Sequence, residues 1–67
     1  MLTPITHLNA KDVLFLQPHR SKRWAERQLE AAKLAAKSGV ALLRHLAEFW
    51  GLEDEDLITQ LRPRFAL

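Results

Sequence analysis

The sequence predicts an all-α fold, and three observations carry that prediction. Read as one helix at about 100° per residue, every charged side chain from Lys22 to Trp50 falls inside an arc of roughly 140°: Lys22, Arg23, Glu26, Arg27, Glu30, Lys33, Lys37, Arg44 and Glu48. The opposite arc holds Trp24, Ala25, Leu29, Ala31, Ala32, Ala35, Ala36, Leu42, Leu43, Leu46, Ala47, Phe49 and Trp50, and only Gln28 and Gly39 there lack an apolar side chain. Second, Ala, Leu, Lys, Arg, Glu and Gln fill most of this stretch, and these are the strongest helix formers. Third, capping residues stand where such helices begin and end.

Residues 1–8 read as an extended arm, because Pro4 disfavours helix at Thr3. Asn9 fits an N-cap, with Asp12 at the third helical position beside the positive end of the helix and Leu8 placed to pack on Val13. These predict a short helix from Ala10 to about Leu16, stopped by Pro18. A strand is the rival there, since Val13-Leu14-Phe15-Leu16 is apolar and partly β-branched.

Ser21 caps the main helix. Ser38-Gly39 is its obvious break point, because glycine costs about 1 kcal/mol in a helix interior. Yet Ala25, Leu29, Ala32, Ala36, Gly39, Leu43, Leu46 and Trp50 keep a strict 4-3 spacing across it. The spacing predicts one central helix from Lys22 to Trp50, of about 29 residues and about 44 Å; a helical hairpin bent at Ser38-Gly39 is the alternative. Gly51 fits the left-handed position that closes a helix, with Leu52 folding back. Glu53, Asp54, Glu55 and Asp56 then suit the first turn of a last helix, where carboxylates favour the dipole. Leu57, Ile58 and Leu61 form its apolar stripe, Pro63 ends it, and 63–67 is a tail.

Sixty-seven residues make a single small helical domain. A core of that size rarely supplies more than about 3–5 kcal/mol without a disulfide, a metal or a partner chain. Cysteine is absent, which removes disulfides and thiolate chemistry and suits a reducing, cytoplasmic setting. No apolar run approaches a membrane span, and Met1-Leu2-Thr3-Pro4 does not resemble the start of a signal peptide. Oligomerisation is the remaining stabiliser, so a homodimer is expected. Its seam would be Leu29, Ala32, Ala36, Gly39, Leu43 and Leu46, with an antiparallel copy setting aromatic bulk against the shallow alanine groove of residues 31–36. The charge is uneven: residues 1–47 hold eight Lys/Arg against three Asp/Glu, and residues 48–67 hold two against five. Such a chain can meet an acidic surface or pair head to tail with itself.

No catalytic chemistry is expected. His7, His19 and His45 lack the close spacing of a metal site, the acids at 53–56 lack the alternating ligands and mid-loop glycine of a calcium loop, and the serines and threonines have no base at recognisable spacing. No phosphate-cradling glycine loop exists, so neither metal nor cofactor is predicted. Two DNA-binding patterns come close and fail. A helix-turn-helix aligned on Ala35 and Gly39 needs apolar residues where His45 and Glu48 stand. A ribbon-helix-helix needs polar base-reading residues where Val13 to Leu16 is wholly apolar.

The feature that stands out is His19-Arg20-Ser21-Lys22-Arg23-Trp24 with Arg27. Cations at a helix N-terminus oppose the dipole, so they do not serve the helix itself. Arg20, Lys22, Arg23 and Arg27 therefore form the expected partner-binding face, with Phe15, Phe49, Trp50 and Phe65 as apolar anchors. The expected function is a non-enzymatic regulator or inhibitor, of the small kind that phages and mobile elements encode, which occludes a partner protein such as a transcription regulator. The alternative is a small basic DNA- or RNA-binding protein.

Overall fold

The computed structural model describes residues 2–65. Over that range the chain forms four helices, α1 (Ala10–Leu16), α2 (Lys22–Ala36), α3 (Leu43–Trp50) and α4 (Asp54–Phe65), and no strand. Each start has its own local cause. The Asn9 side chain accepts from the Asp12 amide at 3.0 Å while Asp12 Oδ2 accepts from the Asn9 amide at 2.8 Å, a reciprocal capping box. Ser21 Oγ accepts from the Trp24 amide at 3.1 Å to start α2. The strand rival for Val13 to Leu16 is not realised: capping at Asn9 outweighs the β-branched character of that run.

The central helix is not continuous. It stops at Ala36, turns through residues 37–42 and resumes at Leu43, which is the hairpin alternative with its bend spread over more residues than Ser38-Gly39. A rod of about 44 Å would not fit a molecule whose longest dimension is 31 Å. The physical reason lies at Lys37, which takes the left-handed conformation (φ 53, ψ 43). The Lys37 amide then donates to Leu34 O at 3.1 Å and the Ser38 amide to Lys33 O at 2.9 Å. That pair of bonds is a Schellman closure, usually built on glycine. The unbroken apolar phase did not report continuity, because α2 and α3 each present a stripe to the same core and two such stripes can share a phase across a short connection.

Packing closes the helices into a ring: α2 lies against α1 and α3, and α4 lies against the same two. Inside it Leu8, Val13, Ala25, Ala32, Leu43, Leu46, Ala47, Leu57, Ile58 and Leu61 are buried. From α2 only two alanines are fully buried, and the leucines come from its neighbours. Burying each Leu side chain contributes about 2 kcal/mol.

The arm is a working part of the fold. Contrary to expectation it is not extended throughout: Pro4 and Ile5 form a turn closed by the Thr6 amide on Thr3 O at 3.0 Å, and residues 6–8 then run antiparallel to 41–43, bridged at His7 and Leu42. Leu43 and Arg44 open α3, where the first amides have no partner within the helix. Here they donate to Thr6 O at 2.8 Å and Pro4 O at 2.9 Å. The expectation that Pro63 ends the last helix is corrected: α4 runs through Pro63 to Phe65. Proline in a final turn removes only one late amide, and Arg64 holds that turn against α1 by pairing with Asp12. Of the expected tail, Ala66 and Leu67 lie outside the described residues.

Candidate interaction surface

The residues singled out in the sequence fall into three groups. In the first are Arg20, Lys22, Arg23 and Arg27, all exposed around the start of α2. Among the described residues the ion pairs are Lys33–Glu30, at 3.1 Å, and Arg64–Asp12, and neither includes any of these four cations. Arg20 has a different seat, its guanidinium 4.8 Å from the centroid of the Trp24 ring. Trp24 in turn stacks on Trp50, with centroids 6.2 Å apart and planes 27° apart. The Trp50 indole N–H donates to Gln28 Oε1 at 2.8 Å. The aromatic beside the basic cluster is thus a two-ring joint between α2 and α3, and Trp50 is half-buried in it.

The second group is apolar. Phe15, Phe49 and Phe65 are 43%, 42% and 38% exposed. They lie on three different helices, α1, α3 and α4, with Phe49 on the same helix as Trp50. Leu34, 71% exposed, is the large apolar side chain most open to water among the described residues. Sequence reasoning passed over it because it stands inside the charged arc, where faces rather than single residues were weighed. Elsewhere on α2, that helix and α3 enclose a shallow cleft of about 260 Å³ lined by Ala32, Ala35, Ala36, His45, Glu48 and Phe49. That is below the usual size of a small-molecule site. His45 is committed to structure, its Nδ1 accepting from the Leu42 amide at 3.3 Å. No group of three or more His, Asp or Glu among the described residues could hold a metal ion.

The third group is the expected seam, which the fold divides. Ala32, Leu43 and Leu46 are buried in the chain's own core, Leu29 is half-buried, and Ala36 and Gly39 are exposed on either side of the bend. A stripe along one continuous helix does not exist, because its two halves belong to α2 and α3, both turned inward.

Helices α3 and α4 are joined by a three-residue turn through Gly51, as in helix-turn-helix units. In a DNA-reading unit the N-terminal residues of the second helix meet the bases. Here that turn is Asp54, Glu55 and Asp56, which phosphates would repel. No helix in the described range is long and apolar enough to cross a membrane. No protein-family model matches the chain, and neither does any curated protein or solved structure.

Proposed function

We propose that the chain is a small non-enzymatic binding protein that regulates or inhibits another protein by docking on it and covering its working surface. The observation that carries this reading is the basic cluster: Lys22, Arg23 and Arg27 are exposed and lack an ion-pair partner among the described residues, and Lys22 and Arg23 sit in the first turn, where the helix dipole disfavours them. Charge left uncompensated in this way steers association with an acidic surface. Exposed Phe49, or Phe15 on the opposite flank of α2, supplies the apolar contact that an interface needs at its centre. A transcription regulator with an acidic face is the kind of target that fits.

The test is retention from a lysate by the immobilised wild-type chain and by the R20E/K22E/R23E/R27E variant, with helix content checked by circular dichroism. One protein held stoichiometrically by the wild type and lost by the variant supports the reading. Equal retention by both overturns it. The same cations favour nucleic acid as the second reading. A salt titration on random duplex decides it, since phosphate binding weakens linearly in log–log form; no binding at low salt removes it.

A further inference from the structure

The chain carries a second unneutralised charge cluster, of opposite sign, at the same end of the molecule as the first. Trp24 stacks on Trp50 and Gln28 bonds to it, so α2 begins where α3 ends. Helix α4 starts a few residues beyond Trp50; Glu53 stands just before it and its first turn carries Glu55 and Asp56, all three exposed. None of these acids forms an ion pair among the described residues, and neither do Lys22, Arg23 and Arg27. The acids suit the positive end of α4; the cations do not suit that of α2. Between the two sets lie Leu52, 39% exposed, and the half-buried Trp24–Trp50 pair.

We propose that this end of the molecule is a self-complementary docking surface whose occupant is a second copy of the chain. A two-fold axis there sets the basic start of α2 on the acidic start of α4 twice, with Leu52 and the indoles at the centre and the charges at the rim. A head-to-tail contact would leave one patch of each sign open at every step and grow into a filament. The two-fold arrangement satisfies both and closes. This places self-association away from the α2–α3 stripe, whose leucines are enclosed in the core. It draws on the same basic cluster as the partner-binding reading, but its test contains no other protein, so the two stand or fall separately.

The experiment is sedimentation or light scattering of the purified wild-type chain, from about 20 mM to about 500 mM salt. Exposed charges more than about 10 Å apart are largely screened at 0.1 M salt. The expected result is a species of twice the 7.7 kDa chain mass, whose dissociation constant rises at least about tenfold across that range. R23E/R27E and E53K/E55K should each remain monomeric, and an equimolar mixture of the two should restore the dimer. A wild-type chain that stays monomeric at millimolar concentration and low salt overturns the proposal. So does a dimer indifferent to salt, which would point to an apolar seam, or an R23E/R27E chain that dimerises as well as the wild type.

Discussion

The corner between α2 and α3 and the corner between α3 and α4 close their first helix with the same two hydrogen bonds. At one, Lys37 donates to Leu34 O and Ser38 to Lys33 O; at the other, Gly51 donates to Glu48 O at 3.1 Å and Leu52 to Ala47 O at 2.8 Å. They differ in what completes them. The second corner is self-sufficient: glycine takes the left-handed position (φ 73), and the Asp56 side chain accepts from the Glu53 amide at 3.2 Å to start the next helix. The first uses a lysine in the left-handed region, although its Leu42 amide likewise donates to a side chain of the next helix, His45. It borrows carbonyls from Pro4 and Thr6, some forty residues earlier in the chain. A corner held by its own residues is a local property; a corner held from elsewhere depends on the rest of the fold.

The widest separation between the two comes from removing the arm. A chain beginning at Asn9 loses the acceptors for the Leu43 and Arg44 amides and the buried side chain of Leu8. Loss of a buried leucine side chain alone costs about 2–5 kcal/mol, which rivals all the stability a core this small supplies. The expected outcome is loss of a cooperative thermal transition by circular dichroism. A truncated chain that melts within a few degrees of the full one would mean that the first corner is also self-sufficient.

A pair of substitutions with opposite signs comes next. Gly51→Ala should destabilise by about 1 kcal/mol, the cost of a left-handed backbone for a residue with a Cβ. An added Cβ would meet no atom within 4 Å, so sterics with neighbours add nothing. Lys37→Gly relieves the same strain and should stabilise by about 1 kcal/mol. In a domain of this size each corresponds to a shift of about 4–8 °C in Tm, down for the first and up for the second. Equal signs would show that the two corners do not share one closing geometry.

The contrast explains what was legible in the sequence. Asn9 with Asp12, Ser21, Gly51 and the acids at 53–56 are local signals, and each marks a helix boundary within a residue or so of where it falls. The end of α2 was not legible, because its left-handed residue is a lysine and the nearby glycine at 39 is not the one that closes the helix. The pairing of Arg64 with buried Asp12 spans more than fifty positions and has no local signature, and with it went the persistence of α4 past Pro63. For the candidate surface, the clustering of Arg20, Lys22, Arg23 and Arg27 is contiguous and was readable. That they lack ion-pair partners among the described residues depends on where every acid lies in the fold, and that an acidic cluster shares their end of the molecule follows from the stacking of Trp24 on Trp50. Leu34 is legible as the largest apolar side chain within the charged arc of α2 itself.

The smallest effect gives the sharpest discrimination. His45 and Asp56 occupy equivalent positions, each reaching back from the first turn of its helix to an amide just before it, Leu42 at 3.3 Å and Glu53 at 3.2 Å. His45→Ala and Asp56→Ala should each cost about 0.5–1 kcal/mol, the lower part of the range for a lost cap. Their magnitudes do not distinguish the corners; their coupling to the arm does. Combined with Leu8→Ala, Asp56→Ala should add within about 0.5 kcal/mol, as distant sites without shared partners do. His45→Ala should not add, because Leu42 pairs with His7 across the bridge and the Leu8 amide donates to Ala41 O at 3.0 Å, so arm and histidine both hold the segment at Leu42. Once the arm is loosened, the histidine cap has less left to hold, and the double variant should be less destabilised than the sum. Urea titrations of the four chains in each cycle measure this directly. Equal additivity at both corners would mean that the arm pairs with residues 41–44 without supporting the turn they form.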